Sequence, residues 1–180
     1  MLETHEQQAL FTLARAAIAA RLQGRPLEAR GTPAAHGALA WRTGAFVTLT
    51  REGRLRGCIG SVERDERLVD VVARCAAEAA TRDPRFPALR LAELDEVDLE
   101  ISVVGPFERV DDVATIAVGR HGLVVEQGVR RGLLLPQVAA EHGWDRDTFL
   151  NQACVKAGLT EDAWREAAVI YAFEAYVFRE

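Results

Sequence analysis

The sequence predicts an α+β fold: a mostly antiparallel sheet packed with helices, with a larger N/C-terminal part and a smaller middle part. Three observations carry that prediction. Two pairs of strand-like segments, 45–50 with 55–61 and 122–126 with 132–135, are each joined by a short turn-forming stretch, as hairpins are. The order of segments is helix, hairpin, helix, strand, hairpin, helices, strand, which is not a β-α-β alternation. The chain closes on alternating Val169, Tyr171, Phe173, Ala175 and Val177, a long strand expected to lie centrally and to join the N-terminal part. That leaves the middle, about 62–120, as the smaller subdomain.

Each element has a local reason. Thr4 followed three residues later by Gln7 has the form of a capping box. Leu10, Leu13, Ala14, Ala17, Ile18 and Leu22 then recur at helical spacing until Gly24 and Pro26 stop them. The stretch 25–43 has no period and contains Pro26, Gly31, Pro33 and Gly37, so it reads as a long loop. Arg51-Glu52-Gly53-Arg54 is the turn of the first hairpin. Leu68, Val71, Val72, Cys75, Ala76 and Ala79 mark an amphipathic helix. It ends at Thr81-Arg82-Asp83-Pro84-Arg85-Phe86-Pro87, where two prolines forbid continuation. Phe86 reads as a core plug, and Arg82, Asp83 and Arg85 as turn-stabilising charges or site residues.

Further on, Leu91 to Leu94 suggests one helical turn. Val97, Leu99, Ile101 and Val103 alternate with polar residues as a half-buried strand does. The stretch 107–117 has no clear assignment. Pro136 can open a short helix that stops at Gly143. Asp145 caps the next, with Phe149, Leu150, Ala153 and Cys154 inward and Gly158 closing it. Thr160-Glu161-Asp162 begins a further turn carrying Trp164.

Composition narrows the function classes. With 180 residues the chain is expected to be one domain or two small subdomains sharing a core. A net charge of −5 argues against a broad nucleic-acid-binding surface. No apolar run approaches the ~20 residues a membrane span needs. The polar start lacks a signal-peptide pattern, so a cytoplasmic location is the expectation. Cys58, Cys75 and Cys154 are odd in number and lack ligand spacing, so free thiols and no metal are expected. There is no P-loop, G-x-G-x-x-G, H-E-x-x-H or G-x-S-x-G, and no cofactor is expected.

The chemistry-bearing segment is Leu55-Arg56-Gly57-Cys58-Ile59-Gly60-Ser61. Strand residues two apart share a face, so Arg56 and Cys58 are expected to project together. A guanidinium roughly 5–7 Å from sulfur would favour the thiolate by roughly 1–2 kcal/mol. Gly57 and Gly60 leave room for a ligand or for another backbone. The segment is therefore either a reactive or binding site or a tightly packed core strand. A histidine base for Cys58 would have to be His5, His36, His121 or His142, with His121 best placed and His36 next.

Phe46-Val47-Thr48-Leu49, Leu55-Arg56-Gly57-Cys58-Ile59-Gly60 and Asp83-Pro84-Arg85-Phe86-Pro87 together resemble the AMMECR family. Leu133-Leu134-Leu135-Pro136-Gln137-Val138, Gly143-Trp144-Asp145, Phe149-Leu150 and Lys156-Ala157-Gly158-Leu159 continue the resemblance in order. Ala88 departs from it, standing where a second proline often follows. The resemblance implies an α+β fold of a larger and a smaller subdomain with a cleft between them. It implies a role beside a Memo-like protein and a radical SAM protein, the company of the family's bacterial branch, and no settled reaction.

Three functions follow as expectations. In the first, a cysteine-dependent enzyme or enzyme component uses Cys58 and Arg56 catalytically, while Arg85, Asp83, Gly57 and Gly60 bind a small or anionic substrate. In the second, the chain is a non-catalytic adaptor docking through an exposed face around Pro136, Gln137 and Trp144. In the third, it binds anions or nucleotides without chemistry.

Overall fold

The structure, a computed structural model, describes residues 2–27 and 36–180. The stretch read as a loop at 25–43 therefore lies partly outside the described residues. The chain divides into two compact units, the first made of Met1–Val103 and Tyr176–Glu180, the second of Val104–Ala175.

In the first unit, helix α1 (Thr4–Leu22) leads into the hairpin β1 (Ala45–Arg51) and β2 (Arg54–Ser61), then α2 (Leu68–Thr81) and β3 (Asp98–Val104). The turn between β1 and β2 has positive φ at both Glu52 and Gly53, which matches the right-handed twist of the flanking strands. β1 pairs antiparallel with β2 on one side and with β3 on the other. β2 is thus the edge of the order β2-β1-β3. Val47 sits opposite Ile101 and Leu49 opposite Leu99, so one sheet face is a continuous apolar surface. Helix α2 covers that face with Val72, Cys75, Ala76 and Ala79, and α1 packs against α2 with Leu10, Leu13, Ala14 and Ile18.

The cap of α1 lies one residue earlier than the Thr4/Gln7 reading. Glu3 is the cap, and Glu6 Oε2 accepts its backbone N–H at 2.9 Å. Glu6 is selected because its other oxygen accepts the Ala38 N–H at 2.9 Å, a tie to a distant turn that local sequence does not reveal.

In the second unit, β4 (Glu108–Arg109) occupies part of the unassigned stretch. β5 (His121–Gln127) and β6 (Arg130–Leu134) form the second hairpin, followed by α3 (Pro136–Glu141) and α4 (Arg146–Lys156). Asp145 caps α4 as expected, its Oδ1 accepting the Thr148 N–H at 2.8 Å. Leu123, Val125, Ala139, Phe149, Leu150, Ala153 and Ile170 make a separate core.

The last strand, β7 (Val169–Arg179), pairs with β4 and β5 inside the second unit and ends in the first. The smaller unit begins at Val104, not near 62. Residues 62–103 go with the first unit because α2 and β3 bury their apolar faces in the same core as α1 and β1.

Candidate functional site

β2 is an edge strand, and an edge leaves backbone groups unpaired. Here the segment after α2 covers it. The carboxylate of Asp83, buried to 2% side-chain exposure, accepts the Cys58 N–H with Oδ2 at 2.8 Å. At the other end of the segment, Arg56 Nη1 donates to the Pro87 carbonyl at 2.9 Å. Residues 83–87 thus form a strap fastened to β2 at both ends, and Leu89, itself buried, donates its N–H to Ala80 to close it.

The glycines of β2 have separate reasons. A Cβ on Gly57 would lie 2.2 Å from the carbonyl oxygen of Ala79, so α2 can seat on β2 only at a glycine. A Cβ on Gly60 would lie 2.1 Å from the Phe46 ring, which folds over it from β1. Gly57 therefore faces α2, while Cys58 and Gly60 lie opposite Thr48 and Phe46 in the register.

The expectation that Arg56 projects beside Cys58 meets a bulge. Leu49 pairs with Gly57 and Thr50 with Leu55, which leaves Arg56 as the extra residue. Its guanidinium, 14% exposed, runs to Pro87 and toward Glu93 Oε1 at 3.7 Å. Glu93 also receives Arg51 at 3.3 Å and Arg90 at 3.1 Å. Arg56 is thereby spent on fastening the strap.

Arg85 is the guanidinium that Cys58 meets through the strap. Its Nε and Nη2 grip Asp83 Oδ1 and Oδ2 at 2.9 and 2.7 Å, and its backbone N–H adds a third bond at 3.1 Å. Asp83 Oδ2 is shared by Cys58 N and Arg85 Nη2, so the two donors lie at most about 5.5 Å apart. The Arg85 bonds, then those from the Cys58 and Arg85 backbone, hold the Asp83 carboxyl well below the usual carboxylate range against the opposing effect of burial. The Cys58 sulfur accepts a hydrogen bond from Thr48 Oγ1 at 3.2 Å and is half-buried. The other two thiols are fully buried in helices, where desolvation pushes Cys75 up to about 11 and raises Cys154 too. Cys58 is thus the thiol that sits on an edge strand, half-buried and hydrogen-bonded at its sulfur and its own N–H, whereas Cys75 and Cys154 are desolvated.

The AMMECR1 family profile matches residues 11–178. The chain belongs to the AMMECR1 family. The protein Mbar_A1807 of Methanosarcina barkeri is 46% identical over 144 residues, covering 77% of this chain and 71% of its own. The protein MK0488 of Methanopyrus kandleri is 44% identical over 190 residues, covering 99% and 90%. The crystal structure of the uncharacterized protein PH0010 from Pyrococcus horikoshii shares the fold, with a TM-score of 0.77 and 41% identity over 95% of this chain and 89% of that one. These relatives are archaeal and do not support a bacterial placement.

In this AMMECR1-family domain, Arg56, Gly57, Cys58, Gly60, Asp83 and Arg85 converge on the β2 edge and its strap. Three of the four histidines have partners of their own. His121 Nδ1 accepts the Ala117 N–H at 3.2 Å, His142 Nδ1 contacts the Val138 carbonyl at 2.9 Å, and His5 lies 3.2 Å from Glu3. His36 precedes a 3-10 turn at 37–40, and its side chain makes no capping hydrogen bond there. Of the face expected around Pro136, Gln137 and Trp144, Pro136 is buried, and Gln137 and Trp144 are half-buried, Trp144 packing on the second core. Phe86 is no core plug either, since it is half-buried with the Arg85 guanidinium 5.5 Å from its ring. Sequence reasoning gave no role to Thr48 or Glu93. Counting residues back from the hairpin turn would reach Thr48 only with the bulge at Arg56 known. Among the described residues, no helix is long and apolar enough to cross a membrane.

Proposed function

We propose that this AMMECR1-family domain is a cysteine-dependent enzyme or enzyme component in which Cys58 is the nucleophile or thiol carrier. One observation carries the reading: of the three thiols, Cys58 is the one that is not fully buried, and its N–H shares a carboxylate with Arg85. Cys58 supplies the sulfur, Thr48 steadies it, Arg85 provides positive charge, and Arg56 with Asp83 positions the strand. By resemblance to the AmmeMemoRadiSam system protein A, its partners are a Memo-like protein and a radical SAM protein. Limited alkylation of the folded chain with iodoacetamide, read by peptide mass spectrometry, tests the chemistry. Cys58 should be modified long before Cys75 and Cys154; equal labelling of all three ends the proposal.

A second reading has its own support. Gly57, Gly60 and Arg56 are all consumed by packing, which suits a docking adaptor whose motif shapes a rigid edge. Capture of the two partners by the wild type and by Cys58→Ser separates the readings. Equal capture with lost pathway output supports the thiol chemistry, whereas unchanged output with Cys58→Ser supports the adaptor.

A further inference from the structure

Arg85 is only partly used by its own fold. A guanidinium carries five N–H donors in a planar fork. Asp83 takes one from Nε and one from Nη2. The two on Nη1 and the second on Nη2 form the outer edge, and among the described residues none of them meets an acceptor. The side chain is 54% exposed, so this edge is reachable from solvent. It is also held still. Two bonds to a buried carboxylate fix the plane, and that carboxylate is tied to the Cys58 and Arg85 backbone. A free surface arginine loses rotamer freedom when it binds an anion; Arg85 has little left to lose.

Resting on the reading of Cys58 as a nucleophile, we propose that the substrate is a compact electrophile bearing an oxyanion, a carboxylate or a phosphate. The oxyanion sits bidentate on the outer edge of Arg85, which brings the reactive carbon to Cys58 Sγ. Asp83 balances most of the Arg85 charge at long range. Selection therefore comes from the fork-shaped pair of donors at contact distance, not from a broad positive field.

Iodoacetate and iodoacetamide test this as a matched pair, one anionic and one neutral. In both, the thiol first gives its proton to buffer, the sulfur electron pair forms the S–C bond, and iodide leaves with the C–I pair. The measured quantity is the ratio of the two rates at Cys58, relative to the same ratio for a short cysteine peptide. The wild type should exceed the peptide by roughly tenfold. Arg85→Gln should return the ratio to the peptide value, and Arg85→Lys should keep only part of the gain because it offers a charge without a fork. Both reagents attack the same sulfur, so a change in its reactivity cancels in the ratio; far-ultraviolet circular dichroism and a thermal melt matching the wild type show the fold intact, and Arg85→Lys serves if Arg85→Gln fails to fold. Protection of Cys58 from iodoacetate by acetate identifies a carboxylate seat, and by inorganic phosphate a phosphate seat. A ratio equal to the peptide's, or protection by neither anion at tens of millimolar, overturns the seat while leaving Cys58 reactive. Failure of both reagents at Cys58 overturns the underlying nucleophile reading instead.

Discussion

The two hairpins solve one packing problem in the same way. In each, the second strand carries a glycine where the end of a helix leans on it. A Cβ on Gly57 would meet Ala79 O at 2.2 Å, and one on Gly132 would meet Ala157 N at 2.3 Å. In each, an arginine of the second strand caps a carbonyl just beyond that helix, Arg56 on Pro87 and Arg130 on Gly158, both at 2.9 Å. The β5–β6 hairpin stops there. The β1–β2 hairpin adds a half-buried thiol, a buried carboxylate on the thiol's N–H, and an arginine locked to that carboxylate. Arginine and glycine on a hairpin strand are thus scaffold common to both hairpins, and the proposed chemistry rests on what β2 has in addition.

The largest effects should be shared by both hairpins. Gly57→Ala and Gly132→Ala each drive a methyl into backbone and should cost about 2–4 kcal/mol in urea unfolding. A neutral Gly132→Ala would break the parallel. Next comes a loss peculiar to β2. Asp83→Ala strips the partner from the Cys58 N–H and should cost about 2–3 kcal/mol. The charge part is pH-dependent in a defined direction. Because the Asp83 carboxyl is held low in the fold, its contribution is fully present above the ordinary carboxylate range near 4. It fades as pH falls below that range, where the unfolded chain takes up the proton first. The stability gap between wild type and Asp83→Asn should accordingly be wide at neutral pH and narrow on acidification; a constant gap would refute the ionised pair.

Smaller effects sharpen the division between scaffold and chemistry. Arg56→Met should cost about 1 kcal/mol by releasing Pro87, with little change in Cys58 alkylation. A collapse of that alkylation would return Arg56 to the chemistry. Thr48→Val removes the hydrogen bond to sulfur, so it should cost at most about 1 kcal/mol. It should also slow alkylation of Cys58 by roughly two- to fivefold, measured against the wild type at the same pH.

Much of the fold is legible along the chain because it rests on short-range causes. Alternation over 45–50 and 97–103, the turn at Glu52-Gly53, Pro136 at a helix start and the Asp145 cap each depend on a few consecutive residues. The misplaced elements share the opposite property. The α1 cap is Glu3 with Glu6 because Glu6 also holds Ala38, and the unit boundary is Val104 because α2 and β3 share a core with α1. Phe86 looks like a plug in isolation, but Leu89 takes the buried position.

The same line runs through the candidate site. The order of motifs marks the Arg56–Gly60 run and the Asp83–Pro87 turn, and the prolines require the helix to stop between them. Which arginine reaches Cys58 is beyond such reasoning. Strict alternation pairs Arg56 with Cys58, but a single extra residue in β2 diverts Arg56 to Pro87, and a bulge is specified by pairing with β1, not by β2 alone. Asp83 lies twenty-five residues from Cys58 along the chain and bonds its N–H only after α2 has folded across the sheet. Residue types are a property of the chain, whereas a shared carboxylate oxygen depends on long-range packing that brings two distant backbones within hydrogen-bond reach.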